Sequence, residues 1–300
     1  MSVSIPRIFD RALHRARRAR AARMALPGAG FLLDRALDDI CERLAFVLRD
    51  FHHVLLIGGH DGSPLTRLQA CLPDAKISVI ESTPVSQARF AGSLIPGSEE
   101  ALGVAAGSYD CVVAPLSLST IDDLPGVLRQ VCLALKPDGL FLGALAGGRT
   151  LLELAEAFAI AESEVRGGAS LRVAPRIDVR DLGALLQRAG FALPVVDSDC
   201  VTVTYASPID LMRELRAMGA TNILVERSRV PLTRAVLARV CEVYIDRFAR
   251  ADGRIPATLE LLTMTAWAPH PDQQKPLKPG SASHRLADAL GTVETKLERD

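Results

Sequence analysis

The sequence predicts an α/β protein built on a doubly wound sheet, and three observations lead to that class. Short apolar runs of strand length alternate with helical segments between residues 54 and 164. A glycine-rich turn follows the first run directly, and an acidic residue ends the second run about twenty residues later. The chain of 300 residues is 49% hydrophobic and 23% charged, so it can bury a large core and is not dominated by disorder.

The first half of the chain supplies the parallel strands. Residues 1–23 are rich in good helix formers, and apolar residues at helical spacing predict a further helix over Phe31–Leu48. Ser63 and Pro64 can cap and start the helix after the first strand. In the turn at residues 136–139 we expect proline to fix φ and glycine to take a positive φ. The predicted strands are Val54–Ile57, Ile77–Ile80, Cys111–Ala114 and Leu140–Leu145, and the helices are Pro64–Cys71, Pro84–Ala91, Leu124–Leu135 and Leu151–Glu164.

The second half of the chain adds two strands with helices around them. A β-branched run within Ala192–Tyr205 predicts a strand, and Thr258–Trp267 has the apolar, threonine-rich character of a buried one. Helices are predicted over Val179–Ala189, Pro208–Met218 and Leu232–Ala249. The predicted divisions are a basic N-terminal arm and first helix at 1–50, the α/β domain at 51–270 with a helical insertion at 208–256, and an extended polar arm with a short last helix at 271–300.

The formal net charge is zero, which argues against a general nucleic-acid-binding surface. The charge is unevenly distributed, because residues 1–23 hold seven arginines and one acid and the rest of the chain carries −6. Such an arm is a solvated helix, a contact for an acidic partner or the inner-membrane surface, or a transit peptide. We expect a cytoplasmic protein, peripheral at the inner membrane if the arm binds there, since the six scattered cysteines suit a reducing compartment.

Glycines and polar residues follow the predicted strands, at the edge of the sheet where ligands bind in this class. Glycines after the first strand let a ligand approach the backbone closely. Glu81 ends the second strand, where a carboxylate can accept both hydroxyls of a ribose. The candidate cofactor-binding residues are Gly58, Gly59, His60, Asp61, Gly62, Glu81, Ser82, Ser98, Glu99, Pro115 and Leu116.

The same residues predict neither a metal site nor a catalytic set. His60 and Asp61 lie near His52 and His53, but the latter two point to opposite faces of an extended chain and lack ligands at diagnostic spacing. We therefore expect no metal. No Ser-His-Asp or Cys-His set can be assembled from the spacing, so the catalytic residues stay unassigned.

The order of these features resembles class I S-adenosylmethionine-dependent methyltransferases. Gly58 and Gly62 match the outer glycines of their first motif, and Glu81 matches the acidic residue that holds the ribose. The most specific matches are Gly107-Ser108-Tyr109-Asp110 and Leu135-Lys136-Pro137-Asp138-Gly139. The resemblance implies a Rossmann-like three-layer sandwich with a helical insertion between the last two strands, and S-adenosylmethionine as the cofactor.

Within that superfamily the chain most resembles the methyltransferase-fold assembly factor of respiratory complex I, in its bacterial form, over nearly all its length. The supporting stretches are residues 8–11, 116–118, 123–126, 147–151, 161–164, 211–212, 218–222, 273–276 and 280–282. The resemblance implies a complex I subunit as protein partner and, in the mitochondrial member, hydroxylation of an arginine on a quinone-module subunit. A similar sister family methylates the free carboxyl of malonyl-acyl carrier protein in biotin synthesis, which is the alternative enzymatic function.

Four positions depart from the family pattern. His60 replaces the middle glycine of the first motif, where its Cβ and imidazole would crowd the methionine part of the cofactor. The others are Leu56 for an acidic residue in the first strand, Ser98 for an aspartate that reads adenine, with Glu99 or Glu100 as substitutes, and Ser119 for a histidine. These departures add a third alternative, a non-catalytic assembly scaffold with a degenerate pocket.

Overall fold

A computed structural model describes residues 6–83, 90, 92–274, 281 and 284–293. The chain forms two compact units that divide between Pro269 and His270. The predicted helix Pro84–Ala91 lies outside the described residues except for Phe90, and so does much of the predicted C-terminal arm. Among the described residues, no helix has both the length and the apolar character needed to span a bilayer.

The first unit contains eight α-helices and six strands among the described residues. Its helices are α1 (Arg11–Met24), α2 (Phe31–Phe46), α3 (Ser63–Cys71), α4 (Leu124–Ala134), α5 (Leu152–Arg166), α6 (Val179–Ala189), α7 (Pro208–Ala217) and α8 (Arg234–Phe248). Its strands are β1 (His53–Ile57), β2 (Lys76–Ile80), β3 (Tyr109–Pro115), β4 (Leu135–Ala146), β5 (Ala192–Tyr205) and β6 (Ile255–Trp267). The second unit has one short helix, α9 (Leu286–Leu290).

The six strands form one sheet in the order β2-β1-β3-β4-β6-β5. Strands β1 to β4 are parallel, whereas β6 runs antiparallel to both β4 and β5. At the outer edge of β2, a parallel bridge joins Val79 of that strand to Leu94. The strand order reverses at β1, so the crossovers diverge between the carboxyl ends of β1 and β3. We call this place the crevice, and it is the usual ligand position in such a sheet.

The sheet is covered on both faces, which confirms the predicted three-layer sandwich. One buried cluster joins Leu55 and Val112 to residues of α4 and α6. The opposite cluster joins Leu56 and Val113 to residues of α2 and α3. A third cluster packs α5 with α7 and α8 against the ends of β5 and β6, so the helical insertion between the last two strands is present as predicted.

The turn that begins β4 corrects one detail of the sequence analysis. The residue with positive φ is Asp138, at 61°, whereas we expected it to be Gly139. A Cβ on Gly139 would lie 2.9 Å from the carbonyl oxygen of Lys136 and 3.1 Å from that of Asp110. Glycine is therefore required here because the backbone of β3 passes close by, and aspartate tolerates the left-handed conformation.

Asp110 joins the two most specific sequence motifs. Its carboxylate accepts hydrogen bonds from Lys136 Nζ at 2.6 Å and from the backbone N–H groups of His52 at 3.0 Å and His53 at 2.8 Å. Burial opposes ionisation, but the hydrogen bonds from Lys136 and from these amides prevail and lower the pKa of Asp110. One carboxylate thus fixes the start of β1 relative to β3 and β4.

We expect Asp110→Asn to lower the free energy of unfolding by about 1–3 kcal/mol at pH 7, because a neutral amide has no charge to pair with the Lys136 ammonium. The carboxylate contributes fully above its unfolded pKa of about 3.9, and its contribution is lost as pH falls through the lower folded value. Urea unfolding at several pH values tests this. Asp199→Asn, which alters an exposed ion pair with Arg35, is the control and should change stability by less than about 0.5 kcal/mol. An equal loss in both variants would contradict the assignment.

Candidate functional site

The loop between β1 and α3 forms the floor of the crevice. Gly58 has φ 83° and donates its N–H to the carbonyl of Ile80 at 2.8 Å, which joins the ends of β1 and β2. A Cβ on Gly58 would lie 2.4 Å from Cβ of Ser117, so a larger residue cannot be placed there without a shift. Gly62, with φ 101°, precedes α3 and completes the turn. The glycines therefore let three strand ends approach one another.

Glu81 is the buried acid of the crevice. Its Oε2 accepts the backbone N–H of His60 at 2.9 Å and Nη2 of Arg18 at 3.0 Å, and its Oε1 accepts the N–H of Thr83 at 2.7 Å. Burial favours the neutral acid, but the Arg18 charge and the Thr83 amide outweigh it and lower the pKa of Glu81. The side chain is thus an ionised acceptor held in place by charge and backbone.

His60 crosses the crevice from β1 to β3. Its φ is 52°, a left-handed conformation that favours glycine, and its Nε2 lies 2.7 Å from the carbonyl oxygen of Pro115. A carbonyl only accepts, so Nε2 carries the proton. Burial, followed by the charge of Arg18, lowers the pKa of His60 to about 4. The imidazole is therefore neutral and fills the space that the first-motif glycine would leave open.

Helix α1 lies on this crevice and supplies Arg18. The same guanidinium approaches Glu99, with Nη1 3.8 Å from Oε1, and Arg11 forms an ion pair with Glu100. His14, on the same helix, has its pKa lowered to about 3 by burial and then by the charges of Arg18 and Arg11. Two of the arm's seven arginines thus pair with acids of the α/β domain, which the sequence analysis did not anticipate.

Of four other predicted site residues, three lie beside Glu81 or the glycine loop, and Ser98 bonds within its own turn. Glu99 is buried and accepts the N–H of Ser82 at 3.3 Å, so both lie beside Glu81. Asp61 accepts hydrogen bonds from Ser63 at the start of α3, beside the glycine loop. The side chain of Ser98 accepts the N–H of Ala101 at 3.1 Å and closes its own turn.

The wall of the crevice is formed at the end of β3. Pro115 ends that strand, and Leu116 follows with φ 62° and donates its N–H to Ala144. Ser117 donates its hydroxyl to the carbonyl of Ile57 at 2.6 Å and so connects this wall to β1.

Within the part of the chain that the structure describes, no three histidine, cysteine or acidic side chains lie where they could share a metal ion.

His14 and His60, both partly buried and with lowered pKa values, predict a loss of stability in mild acid. An unfolded histidine binds a proton near its ordinary pKa of 6.5, whereas folded His60 does so only near about 4. The free energy of unfolding should therefore decrease as pH falls from 6.5 towards 4, by up to about 1.4 kcal/mol per pH unit for each such group. His60→Asn keeps a residue that tolerates positive φ and should flatten this slope. Chemical unfolding between pH 4 and 7 measures it, with His52→Asn, at an exposed position, as the control; an unchanged slope in His60→Asn would contradict the prediction.

Known proteins share both the sequence pattern and the fold. A methyltransferase-domain family model matches residues 31–194. The arginine hydroxylase NDUFAF5 is 34% identical in Danio rerio, over 94% of this chain and 89% of that protein, and 34% identical in Homo sapiens, over 95% and 84%. The malonyl-[acyl-carrier protein] O-methyltransferase of Laribacter hongkongensis is 33% identical over 81% of this chain and 86% of that protein.

Solved structures with low sequence identity show the same fold. The YcgJ protein of Bacillus subtilis has a TM-score of 0.54 at 15% identity, covering 79% of this chain and 99% of its own. The 1,6-didemethyltoxoflavin-N1-methyltransferase of Burkholderia thailandensis, solved with S-adenosylhomocysteine, has a TM-score of 0.50 at 15% identity, covering 87% and 89%. The chain therefore belongs to the methyltransferase-domain family, with NDUFAF5 arginine hydroxylases and malonyl-acyl carrier protein O-methyltransferases among its relatives.

Proposed function

We propose that this protein acts in the assembly of respiratory complex I by modifying an arginine of a quinone-module subunit, with S-adenosylmethionine bound at the crevice. The similarity to the arginine hydroxylase NDUFAF5 over 94% of the chain carries this proposal. The protein partner is then a complex I subunit, met on the cytoplasmic side of the inner membrane.

The crevice residues would fit S-adenosylmethionine if Glu81 exchanged one hydrogen bond and the ring of His60 moved aside. Glu81 is an ionised, buried acceptor at the end of β2, suited to ribose hydroxyls, provided that Arg18 releases Oε2. Gly58 and Gly62 take the positive φ angles that turn the loop beneath the cofactor, while Ser82, Glu99, Pro115 and Leu116 would lie around it. When bound, the sulfonium supplies an electrophilic methyl group, which this chain's residues would hold and shield from water.

His60 is the residue that fits the cofactor least well. Its ring lies against Pro115, where the methionine part would pass, although its backbone N–H supports Glu81. A scaffold with a degenerate pocket remains the competing function because of this ring. Carboxyl methylation of malonyl-acyl carrier protein is the second enzymatic candidate, supported by the 33% identity to the Laribacter protein.

The membrane contact proposed for residues 1–23 involves fewer arginines than the sequence suggests. Arg11 and Arg18 pair with acids of the same chain. Arg7, Arg15 and Arg23 are exposed and would carry the attraction to an anionic surface.

Replacing Glu81 tests the cofactor site directly. Glu81→Gln should weaken binding of S-adenosylhomocysteine about tenfold or more, since the ribose loses a charged acceptor. Isothermal titration calorimetry measures the affinity, and circular dichroism checks the fold. Glu164→Gln changes an exposed acid on α5 and serves as the matched control. No binding by the wild-type protein at millimolar ligand would reject both cofactor-dependent functions and favour the scaffold.

A deletion strain tests the biological role. We expect a loss of NADH dehydrogenase activity without a biotin requirement, and loss of a modified arginine from a quinone-module subunit by mass spectrometry. Complementation with the wild-type gene should restore both. A biotin requirement with normal NADH dehydrogenase would instead establish the carboxyl methyltransferase, and an assembly defect with an unmodified subunit in wild-type cells would establish the scaffold.

A further inference from the structure

The contact between α1 and the crevice suggests a role for Arg18 that depends on the proposed cofactor site. We propose that Arg18 competes with the cofactor ribose for Glu81, and that Glu99 accepts the guanidinium when the ribose binds. Arg18 would then be a positioning residue that sets the affinity of the site, without contacting the cofactor.

The competition follows from the hydrogen bonds on one oxygen atom. Oε2 of Glu81 already accepts the N–H of His60 at 2.9 Å and Nη2 of Arg18 at 3.0 Å. A carboxylate oxygen offers about two acceptor positions. The His60 donor belongs to the backbone of the glycine loop and is fixed, whereas the Arg18 donor ends a flexible side chain. A ribose hydroxyl can therefore bond to Oε2 only if Arg18 withdraws.

Withdrawal into water would be costly, because the Arg18 side chain is 16% exposed and that of Glu81 is fully buried. Separating a buried ion pair leaves both charges without compensation. Glu99 offers another destination, since its Oε1 lies 3.8 Å from Nη1 of Arg18. A small rotation of the guanidinium would move its hydrogen bond from Glu81 to Glu99 without exposing the charge to water.

The base of the arm is fixed, so the exchange concerns the side chain more than the whole helix. Phe9 is buried with Ile223 and Leu224 of the insertion, and its N–H donates to Asp122 at 2.8 Å. The next residue, Asp10, accepts a hydrogen bond from Arg227 at 3.1 Å. These contacts hold the start of α1 two turns before Arg18 and do not involve Glu81.

The first test is the affinity for S-adenosylhomocysteine, measured by calorimetry on the full chain. Arg18→Gln should tighten binding about tenfold, in the range of ordinary coupling energies. Arg15→Gln, on the exposed side of the same helix, should bind as the wild type does. Unchanged or weaker binding by Arg18→Gln would overturn the competition while leaving the proposed function intact. No binding by any variant would overturn both.

The second test separates the role of Glu99 as a destination for Arg18 from a direct contact with the cofactor. Glu99→Gln should weaken binding, because Arg18 then stays on Glu81. The same substitution made together with Arg18→Gln should have little further effect, since no guanidinium needs a destination. An equal loss in both backgrounds would show that Glu99 acts on the cofactor itself and would overturn the exchange.

A third measurement locates Arg18 independently of any ligand. The charge of Arg18 contributes to the lowered pKa of His60, so Arg18→Gln should raise that pKa above about 4 in an NMR titration. The variant also reports folding through its dispersed spectrum. An unmoved His60 titration in a folded variant would show that the guanidinium does not lie at the crevice.

Discussion

A carboxylate buried at the end of a parallel strand must be neutralised or hydrogen-bonded, and in this protein the N-terminal helix does much of that for Glu81. Oε2 of Glu81 binds the Arg18 guanidinium, and the same oxygen also accepts the N–H of His60. Glu81 thus links the backbone of the glycine loop to helix α1 through a single carboxylate oxygen. Ions in a poorly solvated place stabilise a structure only when several partners meet them.

This contact accounts for part of the uneven charge of the chain. The arm carries a surplus of positive charge and the remainder an equal deficit, so the zero net charge conceals two complementary surfaces. Arg11 and Arg18 meet Glu100 and Glu81, and Arg17 has its pKa lowered by burial and by neighbouring arginines. Part of the arm's positive charge is thus neutralised by acids of the same chain. Any external partner meets the arginines that remain exposed.

The sequence predicted the framework of this fold better than the contents of its site. The strands β1 to β3 were found within one or two residues, because buried parallel strands are continuous apolar runs bounded by turn residues. Glu81 and the glycine loop lie at the ends of β2 and β1 because they follow those strands directly in sequence, and their role in binding a cofactor stays a prediction. Arg18 and His14 were missed, since their approach depends on how α1 packs more than sixty residues away from Glu81 in sequence. The opposite charges of the arm and the domain were the one signal that could have suggested the contact.

His60 shows that a substitution in a motif can leave the backbone contacts of its loop in place. The backbone N–H of His60 donates to Glu81, and this bond does not involve the side chain, so the loop keeps it with histidine in place of glycine. The histidine adds a ring that is hydrogen-bonded to the carbonyl of Pro115 and lies between the ends of β1 and β3. Its backbone takes the left-handed conformation, which is unfavourable for a residue other than glycine. Because the ring is neutral, it adds no charge that would oppose a sulfonium. The obstacle that His60 presents to a cofactor is therefore steric, whereas the obstacle at Glu81 is electrostatic and requires a second acid to receive Arg18.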